Sequence, residues 1–204
     1  MTEFGSPLYV YSAAGLERAF TAFQAAVAPV SGKVHFALKA NSALGVIALL
    51  ARCGAGADIV SAGELARALA AGIAAKDVVF SGVGKNPADI RTALEAGIGQ
   101  INAESDQEVA QISDIAAAMG IVAPVALRVN VDVDAGTHAK ISTGPRSTKF
   151  GISTDQREAA RLYASIDADP HIKPMGLAVH IGSQICDLAP FELAYTALLD
   201  VANG

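Results

Sequence analysis

The sequence predicts an α/β fold built from repeated βα units. Short apolar runs that are typical of strands alternate with alanine-rich stretches that are typical of helices, at a spacing of roughly 20 to 40 residues. The chain has 204 residues, of which 52% are hydrophobic and 17% are charged, so it can bury a sizeable core. About six units in a row fit either a doubly wound sheet or a (β/α)8 barrel. No Gly-x-Gly-x-x-Gly motif follows the first strand, which disfavours a dinucleotide-binding sheet and favours the barrel.

Helix caps and breakers locate the elements of the first half. Ser12 is a suitable N-cap for the first helix, which ends before Pro29. Pro87 opens the fourth helix, and Gly72 and Gly97 end the third and fourth. The predicted elements in chain order are helix Ala13–Val27, strand 34–38, helix 43–52, strand 58–60, helix 63–71, strand 77–80 and helix Pro87–Ala96.

The second half continues the alternation with one interruption. Ser105 and Glu108 have the spacing of a capping box, and Gly120 ends the helix that they begin. Residues 132–149 predict a long loop, and loops of this length are usually functional or mobile. The predicted elements are strand Gln100–Ala103, a helix ending at Gly120, strand 122–130, helix 154–166, strand 175–180 and helix 189–201.

Composition and charge exclude several classes of function. The net charge is −5, and no basic stripe indicates a nucleic-acid partner. No apolar run reaches membrane-spanning length, and the first five residues lack the features of a signal peptide. Cys53 and Cys186 are too few for a disulfide framework or a zinc site. We therefore expect a cytoplasmic protein that contacts neither nucleic acid nor membrane and holds no metal ion.

Polar residues follow the predicted strands, where reactive groups gather in barrels. Lys39 follows the run Val-His-Phe-Ala-Leu, at the expected rim of the core. Burial disfavours the ammonium form, and a neutral amine is what a Schiff-base reaction needs, although a single lysine often just ends a strand. The polar residues at predicted strand ends are Lys39, Asp58, Ser61, Ser81, Lys85, Asn102, Glu104, Arg128, Asn130 and His180.

The segment His180-Ile181-Gly182-Ser183-Gln184 is a second candidate site. An imidazole at a strand end offers a flat face for stacking, and a Gly-Ser turn offers backbone N–H groups and a hydroxyl to an anion. Each residue alone is more often structural, as a core histidine or a turn. That interpretation weakens because a lysine, an aspartate, an arginine and a histidine all fall at strand ends of one sheet.

Ordered segments along the whole chain carry a family resemblance. They include Phe-Ala-Leu-Lys-Ala-Asn, Phe-Ser-Gly-Val-Gly-Lys, Ile-Asn-Ala-Glu-Ser and His-Ile-Gly-Ser-Gln. The matching segments are residues 7–11, 36–41, 56–65, 80–85, 101–105, 127–130, 149–151 and 180–184. In this order they resemble the pyridoxal-phosphate-dependent decarboxylases that share the alanine-racemase-like barrel.

The resemblance implies that pyridoxal 5′-phosphate is the cofactor and that Lys39 and His180 are catalytic. Lys39 is implied to bind the cofactor aldehyde covalently and then to act as a proton donor, while His180 stacks on the pyridine ring. Asp58 is implied to lie near the Schiff base. Lys85 and Lys149 fall in family motifs without so clear a role.

The resemblance also implies how the rest of the cofactor is held. Ser183 is implied to bind the phosphate, Gly182 to let the backbone approach it, and Arg128 to support the cofactor close to His180. Asn130 belongs to a matching motif without an assigned role. Residues 132–149 match a loop that is either a lid or a surface loop.

The same resemblance implies the domain organisation. A complete barrel typically has about 250 residues, so about six units indicate a fragment. Residues 31–204 are expected to form part of the cofactor-binding barrel. Residues 1–30 are expected to form a strand and helix that accompany the barrel and a β-domain outside this sequence. The family implies a homodimer, and the fragment alone is expected to be inactive.

The implied reaction is decarboxylation of a small amino acid. The favoured substrate is meso-2,6-diaminopimelate, which gives L-lysine and CO2 in the last step of lysine biosynthesis. Ornithine, arginine and carboxynorspermidine remain alternative substrates, and Gln184 mildly favours the diaminopimelate or arginine types. A barrel that carries the cofactor without catalysis, or an inactive relative that binds a partner, is a different class of alternative.

Overall fold

The structure, a computed structural model, describes residues 3–131, 133, 151–152 and 156–203. The predicted loop over residues 132–149, which includes Lys149, lies outside the described residues except for Val133. The strands are β1 His35–Ala37, β2 Gly56–Ile59, β3 Val78–Phe80, β4 Gln100–Ala103, β5 Ala123–Arg128 and β6 Ile172–Ala178. The helices are α1 Ala13–Val27, α2 Leu44–Arg52, α3 Ala62–Ala70, α4 Pro87–Ala96, α5 Asp106–Met119, α6 Gln156–Asp167 and α7 Ala189–Asn203.

The strand order confirms the predicted α/β class. The six strands follow one another in a sheet in chain order, β1 to β6, and β1/β2, β4/β5 and β5/β6 are parallel. A doubly wound sheet reverses its strand order at a switch point, whereas a (β/α)8 barrel does not. The observed order is therefore that of the barrel. Among the described residues, no helix is both long and apolar enough to span a membrane.

The chain divides into two compact units, Met1–Val79 and Phe80–Gly204. In the first unit, Phe36 of β1 packs against an apolar cluster that includes Phe20 of α1 and Leu50 of α2. Because neighbouring residues of a strand point to opposite faces, His35 and Ala37 lie on the face of β1 away from these helices. In β2 their register partners are Gly56 and Asp58.

In the second unit, β4, β5 and β6 place their carboxyl ends at one edge. Asn102 pairs with Ala126 and Ala103 with Leu127, so β4 ends one residue before its neighbour. Beyond β5, the Val129 N–H donates to the carbonyl of Ala178 at 2.9 Å. An apolar cluster under this edge contains Val129, Val131, Val133, Ile181 and Ala194.

Helices α3 and α5 begin with the same capping device. Ser61 accepts a hydrogen bond from the Glu64 N–H at 3.2 Å, and Ser105 accepts one from Glu108 at the same distance. Each glutamate carboxylate also accepts the N–H of the residue before the cap. In α3 Glu64 accepts from Val60 at 2.7 Å, and in α5 Glu108 accepts from Glu104 at 2.8 Å. The predicted serine cap of α5 is thus confirmed, but its glutamate bonds one residue earlier than a standard capping box requires.

The sixth strand differs most from its prediction. The predicted strand starts at Met175, whereas β6 starts at Ile172 and includes Lys173 and Pro174. Val125 of β5 pairs with Pro174 but Ala126 pairs with Gly176, so a bulge lies at Met175. Proline lacks a backbone N–H and is tolerated in a strand at an edge or a bulge, and β6 is the last strand in the sheet order.

Gly56 allows β1 and β2 to pack closely, and an added side chain is expected to destabilise the protein. A Cβ at this position overlaps the His35 ring and lies 2.5 Å from the Asp77 carbonyl oxygen. We expect Gly56→Ala to lower the free energy of unfolding by about 1–3 kcal/mol, because the backbone carbonyl must move. Urea unfolding of the whole protein measures this loss. Gly45→Ala is the matched control, since a Cβ there meets nothing within 4 Å, and equal losses in both variants contradict the prediction.

Candidate functional site

Lys39 lies in a tight turn directly after β1. Residues Leu38–Ala40 form one turn of 3-10 helix, and α2 begins at Leu44. Leu38 is fully buried while Lys39 is exposed. The expectation that Lys39 is buried is therefore wrong for this chain. The turn directs the leucine into the core and leaves the lysine on its surface.

Two side chains fix the backbone that follows Lys39. The Asn41 side-chain oxygen accepts a hydrogen bond at 3.0 Å from the N–H of Ala43, the residue before α2. Arg67 of α3 donates from Nη1 to the carbonyl of Ser42 at 3.1 Å. Asn41 stood in the matching motif without a role. Arg67 was missed, and no local pattern in the sequence identifies a contact over 25 residues.

Asp58 and His35 share a face of the first unit's strands. Asp58 is half-buried and pairs in register with Ala37, two residues before Lys39. The His35 Nδ1–H donates to the carbonyl of Lys33 at 3.2 Å. Burial lowers the pKa of His35 below its ordinary value of 6.5, and the hydrogen bond to Lys33 and the negative charge of Asp58 oppose this shift.

The second unit buries a group of charged and polar side chains at the carboxyl ends of its strands. Each lies in the last two residues of β4 or β5 or follows β3 or β4, as the sequence predicted for polar residues of this region. The buried polar residues among those described are Lys85, Asn102, Glu104 and Arg128. Buried charges are stable only when they are paired, so their partners define this site.

Lys85 is almost completely enclosed, with 1% of its side chain exposed. Its ammonium group donates to the carbonyls of Gly82 and Asn102, each at 2.7 Å, and to the Glu108 carboxylate at 3.1 and 3.2 Å. The centroid of the Phe80 ring lies 5.6 Å from Lys85 Nζ. Burial lowers the pKa of Lys85, and the charge of Glu108 opposes that shift.

Arg128 and Glu104 form the second buried ion pair. Arg128 Nη1 donates to Glu104 Oε1 at 2.8 Å, and 10% and 4% of their side chains are exposed. The Glu104 N–H donates to Glu108 Oε2 at 2.8 Å. Glu104 Oε2 is buried and has no hydrogen-bond partner within the described residues. Removing one charge of a buried pair is strongly destabilising.

His180 follows the end of β6 in a half-buried position. Arg128 pairs in register with Ala178, the last residue of β6, so His180 lies two residues beyond the position opposite Arg128. Gly182 has φ 138° and Gln184 has φ 60°, which makes a sharp turn with the exposed Ser183 between them. The turn therefore presents a hydroxyl and backbone groups beside the end of β6.

Gly151 packs against the backbone beyond β5. Ile152 donates to the carbonyl of Arg128 at 2.8 Å and accepts from the Asn130 N–H at 2.9 Å. Gly151 has φ +81°, and a Cβ there lies 3.2 Å from the Arg128 carbonyl oxygen. A glycine in the matching segment 149–151 thus has a structural reason.

The predicted residues fall into two groups, one in each unit. In the first unit, adjacent strands bring Asp58 and the turn of Lys39 to the same end. In the second unit, adjacent strands do the same for Arg128 and His180. Sequence reasoning identified Lys85 and Glu104 by position alone, and it assigned Glu108 only a capping role. Within the described ranges, no three His, Cys, Asp or Glu side chains could together hold a metal ion.

Known proteins share both the sequence and the fold of this chain. The family described as "Pyridoxal-dependent decarboxylase, pyridoxal binding domain" matches residues 13–203. The diaminopimelate decarboxylase of Pseudomonas aeruginosa is 50% identical over 200 residues, which are 98% of this chain and 48% of that protein. The diaminopimelate decarboxylase of Zymomonas mobilis is 48% identical over 205 residues, with 99% and 48% covered. The chain spans about half the length of these curated relatives.

Solved structures extend the comparison to the fold. Diaminopimelate decarboxylase from Helicobacter pylori, complexed with L-lysine, has a TM-score of 0.95 at 38% identity and covers 99% of this chain and 51% of that chain. A lysine/ornithine decarboxylase from Vibrio vulnificus, complexed with putrescine, has a TM-score of 0.80 at 22% identity, with 99% and 49% covered. The second likeness concerns the fold alone.

His35 is expected to make stability fall in mild acid. Its pKa is lowered in the folded state, so below pH 6.5 the unfolded chain takes up a proton there more readily than the folded protein does. The free energy of unfolding therefore decreases as the pH falls below 6.5, and this contribution is absent above it.

We expect His35→Gln to flatten this dependence in urea unfolding of the whole protein between pH 7.5 and 5.5. Equal slopes in the two proteins contradict the prediction. A His35 pKa above 6.5, measured by NMR titration of its ring carbon, also contradicts it.

Proposed function

Because this chain belongs to the pyridoxal-dependent decarboxylases, as their pyridoxal binding domain, we propose that the whole protein decarboxylates meso-diaminopimelate to L-lysine and CO2. The observation that carries the proposal is identity of 48–50% to diaminopimelate decarboxylases over almost the entire chain. The L-lysine bound to the Helicobacter pylori enzyme supports the proposed product. The same reaction makes the protein a carboxy-lyase of lysine biosynthesis.

The donor groups of the chain fit pyridoxal 5′-phosphate. An exposed amine suits an aldehyde, a half-buried imidazole suits a pyridine ring, and a left-handed glycine beside a serine suits a phosphate. We propose that the residues which hold the cofactor are Lys39, Asp58, Arg128, His180, Gly182 and Ser183. The match of residues 13–203 to a pyridoxal binding domain supports this assignment.

When bound, the cofactor accepts the electron pair that remains on the α-carbon after CO2 leaves. Lys39 would hold the cofactor through its amine, and it would hold a proton at Nζ after CO2 has left. The Asn41 and Arg67 hydrogen bonds fix the backbone that carries this amine. Asp58 adds a negative charge near it. His180 orients the ring by stacking against its face.

We further propose that the whole protein is a cytoplasmic homodimer. Free thiols at Cys53 and Cys186 are typical of a reducing compartment. Tyr9 and Val10 are 85% and 83% exposed in the segment before α1. Adjacent exposed apolar side chains of this kind usually meet another surface, and we propose that residues 1–30 meet the β-domain expected in the whole protein.

The reaction is tested by supplying the whole protein with pyridoxal phosphate and one candidate substrate at a time. We expect CO2 and L-lysine from meso-diaminopimelate, with kcat/KM at least about tenfold above that for ornithine, arginine or carboxynorspermidine. CO2 release and chromatography of the products measure this. A preference for ornithine or arginine contradicts the substrate. Cofactor binding without CO2 from any of the four contradicts the reaction.

Lys39→Ala is expected to abolish the visible absorbance band of the bound cofactor and to reduce kcat by at least about a thousandfold, because the covalent link and the proton donor are both removed. Absorbance spectra and CO2 release measure these changes. Lys76→Ala, at an exposed lysine in the turn before β3, is the matched control and keeps both. An unchanged spectrum and unchanged turnover in Lys39→Ala remove this lysine from the mechanism.

A further inference from the structure

Lys85 is a buried cation that the proposed reaction does not use. Its side chain is 1% exposed, and burial of an ammonium group is costly unless its partners compensate. Those partners are the carbonyl of Gly82 after β3, the carbonyl of Asn102 near the end of β4, and the carboxylate of Glu108 in the first turn of α5. These hydrogen bonds therefore connect Lys85 to three separate segments of the second unit.

Lys85 anchors the end of β4 at two points. Directly, it donates to the Asn102 carbonyl at 2.7 Å. Indirectly, it pairs with the Glu108 carboxylate, whose Oε2 accepts the Glu104 N–H at 2.8 Å. The two anchors lie on either side of Ala103, so they fix the backbone from which the Glu104 side chain leaves.

Glu104 transmits this constraint to β5. Its Oε1 accepts from Arg128 Nη1 at 2.8 Å, and both side chains are buried. The guanidinium therefore depends on the direction of the Glu104 carboxylate. That direction in turn depends on the two anchors that Lys85 provides.

We propose that Lys85 is a positioning residue, which orients Arg128 for cofactor binding through Glu108 and Glu104. The inference rests on the proposed function, in which Arg128 supports the cofactor. Lys85 itself does not touch the cofactor in this assignment. Its effect on cofactor binding is carried by Arg128, so it disappears when Arg128 is absent.

A double-mutant cycle tests this dependence in the whole protein. Lys85→Met is expected to raise the Kd for pyridoxal phosphate about tenfold, as loss of an orienting outer contact does at other sites. In an Arg128→Met background the same change is expected to raise Kd by less than about twofold, because coupled residues are not additive. If Lys85→Met raises the Kd for pyridoxal phosphate by the same factor in both backgrounds, the proposal is overturned. Lys173→Met, at an exposed lysine of β6, is the control and leaves Kd unchanged.

The conservative variant separates positioning from general stability. Lys85→Arg keeps the charge, so its Kd is expected to lie closer to that of the unmodified protein than the Kd of Lys85→Met. Thermal unfolding is followed in parallel. A Kd that changes in proportion to Tm across all variants, with no rescue by arginine, assigns Lys85 a merely structural role and overturns the proposal.

NMR of the Arg128 side chain tests the geometry without cofactor or substrate. Its Nε–H signal is expected to move in Lys85→Met and to remain in place in Lys173→Met. If Lys85→Met does not fold, Glu108→Gln weakens the same connection with little change of shape, and the signal is expected to move there. An unmoved signal in the folded variant overturns the proposal.

These measurements distinguish the two proposals. A whole protein that binds pyridoxal phosphate but releases no CO2 contradicts the proposed reaction, while the Kd cycle still decides the role of Lys85. A protein that binds no pyridoxal phosphate contradicts the proposed cofactor site, and the Arg128 signal then decides whether Lys85 positions that side chain.

Discussion

The Glu108 carboxylate joins two buried parts of the second unit. Both of its oxygens accept from the Lys85 ammonium group, and Oε2 also accepts the backbone N–H of Glu104. Lys85, Arg128, Glu104 and Glu108 carry two positive and two negative formal charges at neutral pH, and each cation has a carboxylate at 2.8 to 3.1 Å. Since an unpaired buried charge is very costly, this pairing is the condition under which strand ends of this kind can be polar and still buried.

The first unit provides the opposite environment for its candidate residue. Lys39 is exposed, and the hydrogen bonds of Asn41 and Arg67 act on the backbone after it instead of on its ammonium group. An amine that must form and exchange a covalent bond needs an accessible nitrogen on a fixed support. Lys85 has neither accessibility nor a spare donor, because carbonyls and a carboxylate surround its Nζ. This contrast in environment supports the two proposed roles, reaction for Lys39 and positioning for Lys85.

Boundaries of elements were predicted best where the signal lies within one turn of the boundary. The bounds of α1 and α4 agree with the structure because Ser12 caps the first helix, while Pro87 and Gly97 begin and end the fourth. The bounds of β6 were wrong because Pro174 is accommodated by a bulge. A bulge depends on the partner strand, since it is the register against β5 that shifts, and no local pattern in the sequence of β6 reveals it.

In the candidate site too, the sequence predicts what depends on local order and misses what depends on contacts between distant residues. That Lys85 and Glu104 stand at strand ends follows from the order of parallel strands, so their location could be predicted. Their partners could not, because Glu108 lies 23 residues from Lys85 and reads locally as a helix cap. The cap prediction was incomplete for a physical reason. A carboxylate at the start of a helix can accept from its own backbone and from a neighbouring cation at once, and only the packing of α5 against the strand ends decides which donors are within reach.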